Sequence, residues 1–330
     1  MDHERAAPPD RAARPGTRRV GPAARRQRGD VHAARPQDRF DALRAGATRR
    51  ARRCAGGGAV SALVTPAWLE ERLGDPDLRI IESSVDKAAY DEGHIAGAQW
   101  VAPYGPLLIN GDNSRGNVIT PQQFAALMSQ LGIEPATTVV FYGNGHSRYA
   151  MRGYWTLGYY RHPGPYYVLD GGRERWVAEG RPLTADVVQP APASYPEPRD
   201  VDRGDEATWQ DVRAAINRRD AVIVDVRTPG EYEGSDVRSA RGGHIPGAVQ
   251  LEYTDATTGD NLLKPAEELR RMFEARGITP DKEIIAHCQL GVRAAHTWFV
   301  LKHVLGYPNV KNYDGSWSEW GNRDDSPIEK

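Results

Sequence analysis

The hexapeptide GHIAGA at residues 93–98 returns as GHIPGA at 243–248, and LDGGRERW at 169–176 returns as YDGSWSEW at 313–320. The offsets are 150 and 144 residues, and the motifs keep their order within each copy. Two matches in one order argue for an internal duplication. Whatever one half of the chain builds, the other half must build again. The 330-residue length agrees, since domains usually run about 100–200 residues.

Each copy alternates strand-like and helix-like runs. In the first, Thr65-Pro66 reads as an N-cap and N1 pair opening a short helix through Trp68 and Leu73. RIIES (79–83) is an apolar strand. Thr120-Pro121 opens a helix with Phe124, Leu127 and Leu131 on one face, and TTVVFY (137–142) is a β-branched strand. A helical run through Met151, Trp155 and Leu157 follows, then the strand PYYVLD (165–170). The second copy gives a helix at 208–217, the strand AVIVDV (221–226) and an amphipathic helix at 265–277 closed by Gly277. EIIAH (283–287) is a strand, and RAAHTWFVLKHVLG (293–306) is a helix ending in glycine. Such alternation implies an α/β fold whose sheets are mostly parallel and flanked by helices. Two domains are expected, about 60–185 and 200–326, joined by a Pro-rich linker at 186–199. The GHI-x-GA glycines read as turn formers, with His94 and His244 as hydrogen-bonded turn residues. Trp176, Trp317 and Trp320 read as core anchors, and the Tyr159, Tyr160, Tyr166 and Tyr167 patch as packing.

Ahead of the repeat, residues 1–58 hold 15 Arg and no Lys against six Asp and Glu. The remainder therefore carries a net charge near −10. Pro, Gly, Ala and Arg dominate this stretch without apolar periodicity, so it is expected to be disordered, or a non-native extension from an upstream start. Its acids at Asp30, Asp38 and Asp41 and its single aromatic, Phe40, argue against a nucleic-acid-binding tail. It lacks the apolar core of a secretory signal. No run reaches the ~18 apolar residues of a membrane span. Two cysteines, Cys54 and Cys288, cannot form a disulfide framework or a CxxC zinc site, so no metal or other cofactor is expected.

Cys288 stands apart from Cys54 by its setting. Ligand sites in open parallel sheets lie beyond the carboxyl ends of strands, and EIIAH delivers Cys288 to that edge. The loop Gln289-Leu290-Gly291-Val292 and a helix starting near Arg293 follow. Backbone N–H groups of such a loop, with the positive helix end, stabilise an anion at the sulfur. Gly291 supplies the freedom for the curl, and Arg293 a fixed positive charge that can grip an oxyanion bidentately. By the 144 offset, Cys288 falls opposite Asn144, so the first copy has no sulfur nucleophile.

These residues resemble the rhodanese family, specifically the two-domain thiosulfate and 3-mercaptopyruvate sulfurtransferases. The likeness spans about 60–326 and rests on GHIAGA and GHIPGA, DVRTPGEYEG (225–234), HCQLGVRAAHTWF (287–299) and YDGSWSEWG (313–321). It implies two tandem rhodanese-like domains, a non-catalytic one followed by a catalytic one, and a cysteine that cycles through a persulfide. That role maps onto Cys288. The expected reaction moves a sulfane sulfur from thiosulfate to cyanide or a thiol in two covalent half-reactions. Arg293 is expected to hold the anionic donor, with Arg227 and Arg241 as further cleft charges. Asp225 and Glu231 are expected to orient loop groups. Gln289 departs from the basic residue common in thiosulfate-type loops, and Gln289-Leu290 from the small polar residues of mercaptopyruvate-type loops. The basic Arg293 favours the inorganic anion.

Two rival functions share this chemistry. Phosphatases use Cys-x5-Arg loops, one residue longer than Cys288-x4-Arg293, and so are disfavoured. A non-enzymatic rhodanese-like module that has lost turnover is disfavoured by the intact Cys288 and Arg293, whereas a carrier passing persulfide sulfur to a thiol-bearing partner protein is compatible with every residue named. Free-cysteine chemistry suits a reducing interior, which makes the cytoplasm the expected compartment.

Overall fold

A computed structural model describes residues 61–103 and 117–330; the tail expected over residues 1–58, with Cys54, lies outside the described residues. The first copy contributes strands β1 (Leu63–Val64), β2 (Leu78–Glu82), β3 (Ala98–Trp100), β4 (Thr138–Tyr142) and β5 (Tyr166–Leu169). The second contributes β6 (Glu206–Ala207), β7 (Ala221–Asp225), β8 (Val249–Gln250), β9 (Glu283–His287) and β10 (Val310–Tyr313). The sheets run β1-β5-β4-β2-β3 and β6-β10-β9-β7-β8, the same order twice, with every pairing parallel. The duplication read from two short motifs is thus a duplication of topology.

The central strands β4, β7 and β9 carry runs of β-branched and apolar residues, because both faces of such a sheet are covered, while β2 and β10 interrupt theirs with Arg79 and with Lys311-Asn312. Threonine starts many of the helices. Thr65 accepts from Trp68 N, and Thr120, Thr208 and Thr228 form reciprocal capping boxes with Gln123, Asp211 and Glu231. The helix expected to run through Leu73 stops at Glu70. The one expected over 293–306 is α-helical only over Val292–Phe299 and then widens into a π turn at Val300–Val304. Among the described residues no helix is long and apolar enough to cross a membrane.

The outer face of each sheet has its own core, built around Trp176 in the first copy and around Trp317 and Trp320 in the second. All three indoles donate to backbone carbonyls, of Pro182, Arg241 and Pro327, as anchors should. His94 and His244 stack on Tyr90 and Tyr232 and bond those residues' carbonyls. The inner faces meet in one shared core that includes Phe141, Met151 and Trp155 from the first copy and Val224, Ala286 and Phe299 from the second. Across it, helix Arg148–Tyr159 packs on helix Val292–Phe299. The copies are therefore joined by apolar packing at the faces that carry the loops after β4 and β9.

Candidate active site

Strand β9 lies inside its sheet, paired with β10 and β7 in parallel, so its carboxyl end opens between neighbouring loops. Cys288 is the first residue past that end and is 1% exposed. Its N–H donates to Ser316 Oγ at 3.1 Å, and Ser316 in turn donates to the Tyr313 carbonyl at 2.7 Å. The Cys288 and Gln289 carbonyls accept from Trp317 N and Ser318 N at 2.9 and 3.0 Å. The loop after β10 thus clamps the cysteine's own backbone.

Gly291 ends the loop at φ +76°, and helix Val292–Phe299 begins at the next residue. A Cβ there would stand 2.6 Å from Asp314 Oδ1 and 2.9 Å from the Asp314 carbonyl. Only glycine meets both demands. The curl has a consequence for the amides: none from Gln289 to Ala294 donates to a protein acceptor among the described residues. Consecutive uncommitted N–H groups leading into a helix start form an anion cradle. Leu290 is half-buried and Val292 buried, and Gln289 Nε2 bonds the Arg238 carbonyl and Ser239 Oγ at 3.2 and 3.1 Å.

Charges around the cysteine pair with one another. Arg293 donates to both oxygens of Glu231, at 2.7 and 2.8 Å. Burial pushes the Glu231 carboxyl up, but the Arg293 fork, the Thr228 backbone and the Arg238 charge override it and hold it at about 2. Glu231 thus stays ionised and pairs with Arg293 through both carboxylate oxygens. Asp225 is wholly buried and grips Arg227 through Nε and Nη2 at 2.9 and 2.6 Å. The expectation that Arg227 and Arg241 add charge to the cleft is corrected. Arg227 is 1% exposed, bonded to Asp225 and the Gly243 carbonyl and laid over Trp317. Arg241 spends its guanidinium on the carbonyls of Ser326, Trp320 and Arg323, closing the C-terminal segment. His287 lies wholly buried with Nε2 3.5 Å from Asp225, and burial lowers it to about 4, so it is neutral.

Strand register also corrects the equivalence of Cys288 with Asn144. Asp225 pairs with His287 as Glu82 pairs with Tyr142, so the residue in the position of Cys288 is Gly143. The loop after β4 is one residue longer than the loop after β9, which shifts the offset from 145 before the loop to 144 after it. Neither Gly143 nor Asn144 carries sulfur.

Sequence reasoning missed the wall that the first copy places beside this loop. Arg148 Nη1 bonds Tyr253 OH at 3.3 Å, and His146 Nδ1 meets Thr257 Oγ1 at 2.7 Å. Tyr253 stands edge-on to His296, with ring centroids 5.6 Å apart, one turn beyond Arg293. Arg152 forms a fully buried ion pair with Asp314, whose carboxylate also accepts from the N–H groups of Asn117 and Val118. The one available signal was position: Arg148 opens the helix after the loop that matches the cysteine loop.

A family model described as Rhodanese-like domain matches the chain twice, over residues 65–179 and 208–323. "Sulfur carrier protein TtuD" of Thermus thermophilus is 40% identical over 282 residues, covering 81% of this chain and 96% of that protein. "Thiosulfate sulfurtransferase" of Corynebacterium glutamicum is 37% identical over 279 residues, covering 81% of this chain and 90% of its own. Among solved structures, an "anaerobic ergothioneine biosynthesis enzyme from Chlorobium limicola" superposes with a TM-score of 0.71 at 24% identity, over 82% of this chain and 70% of that one. That last likeness is one of fold. The matched domains and the relatives' names agree on sulfur transfer at the level of the family. On its two matched domains and its repeated sheet topology, the chain belongs to the rhodanese family in its tandem, two-domain form.

Proposed function

We propose that this protein is a thiosulfate sulfurtransferase that works through a persulfide on Cys288. The observation that carries the reading is the run of uncommitted amides from Gln289 to Ala294 beside a strand-end cysteine. In the first half-reaction the Cys288 thiolate attacks the sulfane sulfur of thiosulfate. The sulfur–sulfur bond of the donor breaks and sulfite leaves with its electron pair, so a cysteine persulfide anion replaces the thiolate. The loop N–H groups hold that anion without reorganising. In the second half-reaction a thiophilic acceptor, cyanide or a thiolate, attacks the outer sulfur and regenerates the Cys288 thiolate. Splitting the transfer gives ping-pong kinetics. The four residues between Cys288 and Arg293 form a short loop suited to one sulfur atom rather than a phosphoryl group.

The test is intact mass after thiosulfate, beside Cys288→Ser. The expected result is a gain of one sulfur atom, removed by cyanide and absent from the variant. A gain from 3-mercaptopyruvate but not thiosulfate would reassign the donor, and no gain from either would overturn the enzyme reading. The carrier reading has its own support in the name of the Thermus thermophilus relative. It predicts a persulfide that forms readily yet transfers poorly to cyanide and small thiols.

A further inference from the structure

Residues 59–330 carry a net charge near −10, so an anionic donor entering this cleft needs a local positive charge that no carboxylate already neutralises. The arginines nearest the cysteine loop in the second copy do not offer one. Arg293 is held at both ends by Glu231, Arg227 by Asp225, and Arg238 by Asp236 with Glu231 at 3.7 Å. Each is the cationic half of a neutral pair.

Arg148 differs. It is half-buried, and its side-chain bonds run to uncharged oxygens: the Gly145 carbonyl at 2.9 Å, Tyr253 OH at 3.3 Å and Tyr149 OH at 3.2 Å. No carboxylate lies within ion-pair distance of it among the described residues. Burial and the Arg148 charge lower the neighbouring His146, which disfavours a second positive charge on that imidazole. The hydrogen bonds of Arg148 run from Nη1 and Nη2, and Nε–H makes none to the described residues.

Its place in the fold puts that charge on the cysteine side. Arg148 opens the helix Arg148–Tyr159, and Arg152 lies one turn along the same face. Arg152 reaches Asp314, the residue packed against Gly291 of the cysteine loop. Tyr253, bonded to Arg148, packs on His296, one turn past Arg293. The Tyr253 phenol also feels both guanidiniums: burial raises it, while Arg148 and Arg293 pull it down. The hydroxyl therefore stands within electrostatic reach of one arginine from each copy.

From this placement we infer that Arg148, contributed by the copy without a cysteine, is the substrate-binding residue that holds the anionic end of the sulfur donor while Cys288 takes its sulfur. The assignment rests on the persulfide reading above. A guanidinium presents paired donors to an oxyanion, which suits the three oxygens of thiosulfate, and the Tyr253 hydroxyl is placed to share them. The first copy thus supplies donor specificity, and the second supplies the nucleophile.

The experiment compares wild type, Arg148→Gln and Arg148→Lys with two reagents that offer the same electrophilic sulfur. Thiosulfate is a dianion; methyl methanethiosulfonate is uncharged and transfers a methylthio group to a thiolate with loss of methanesulfinate. Modification of Cys288 is followed by mass. For Arg148→Gln, kcat/KM with thiosulfate should fall about 10- to 100-fold, chiefly through KM, as expected for lost charge-assisted hydrogen bonds. The rate with methyl methanethiosulfonate should stay within about twofold, and Arg148→Lys should recover part of the loss, because no charge-specific contact is made with the neutral reagent. An equal loss with both reagents, or no loss with thiosulfate, would overturn the role of Arg148. Wild type that reacts with the neutral reagent but takes no sulfur from thiosulfate would instead overturn the donor reading beneath it, and this assignment with it.

Discussion

A double-mutant cycle on Glu231 and Arg293 measures how firmly the loop arginine is tied. Glu231 is wholly buried and Arg293 15% exposed on its side chain, with both guanidinium ends on the carboxylate at 2.7 and 2.8 Å. The carboxyl lies at about 2 against an ordinary 4.5. At ~1.4 kcal/mol per pKa unit, that displacement corresponds to roughly 3 kcal/mol favouring the ionised form. The Thr228 backbone and Arg238 share in it while burial works against it, so the Arg293 pairing contributes at least about 2 kcal/mol, well above the ~0–1 kcal/mol of an exposed ion pair. Because the folded pKa is depressed, this stability is complete above pH 4.5 and is lost as pH falls toward 2. The assay is urea denaturation at pH 7 of wild type, Glu231→Gln, Arg293→Gln and the double variant. Each single change should cost about 3 kcal/mol, since it strands a partner. The double variant should cost less than the two singles together by about 2 kcal/mol. Simple additivity, within about 0.5 kcal/mol, would refute the claim that Arg293 is neutralised by Glu231.

Two further outcomes concern stability. The buried histidines His162, His287 and His296 are lowered by burial from 6.5 to about 4, 4 and 3. Protons then favour the unfolded chain, so this stability is complete above pH 6.5 and drains as pH falls toward 4. Each costs about 2 kcal/mol by pH 5. Glu206, raised by burial to about 7, works in the opposite direction. Its protonation returns about 2 kcal/mol, while His303, also lowered by burial to about 4, adds a further loss of about 2 kcal/mol, so the unfolding free energy at pH 5 should lie about 6 kcal/mol below that at pH 7.5; equal values by chemical denaturation would contradict this. The second comparison sets Gly291→Ala against Gly247→Ala, at φ +76° and +72°. A Cβ at Gly247 meets nothing within 4 Å, whereas at Gly291 it meets Asp314 at 2.6 Å. Gly247→Ala should cost about 1–2 kcal/mol for the left-handed backbone alone. Gly291→Ala should cost at least about 3 kcal/mol and abolish persulfide formation, and equal melting temperatures for the two would show the Asp314 contact to be unimportant.

What the sequence made legible follows from how far each signal is spread along the chain. The strands AVIVD over β7 and TVVFY over β4 announce themselves because both faces are buried and four or five apolar or β-branched residues fall in a row. Strands β1, β6 and β8 span two residues each, too short to show a period, and exist only because a longer neighbour offers its edge. Cys288 stood out because strand end, glycine and helix start lie within six residues of it. The pairing of Arg293 with Glu231 joins residues 62 apart, and that of Arg152 with Asp314 joins the two copies. No local pattern encodes which carboxylate an arginine will meet. Charge placement was therefore read from adjacency, and adjacency misplaced Arg227 and Arg241.

The same geometry explains why the two copies cannot trade roles by a single substitution. A Cβ on Gly143, the residue in the position of Cys288, would stand 2.4 Å from the Ser83 carbonyl, which leaves no room for a cysteine side chain. The loop beyond it carries three successive left-handed residues, Gly145, His146 and Ser147, where the cysteine loop has Gly291 next to its helix. Gly145 N donates to Glu174, so a carboxylate already occupies this donor, whereas the corresponding amides of the second copy are uncommitted. The extra residue also sets the start of helix Arg148–Tyr159 so that Arg148 and Arg152 face the second copy. Arg152 meets a carboxylate there and becomes part of the interface, while Arg148, one turn nearer the loops, meets the Tyr253 hydroxyl and, among the described residues, no carboxylate. A duplicated unit that fills its own anion cradle can still serve the neighbouring one, by presenting across the shared core the positive charge that the neighbour's own arginines have given to carboxylates.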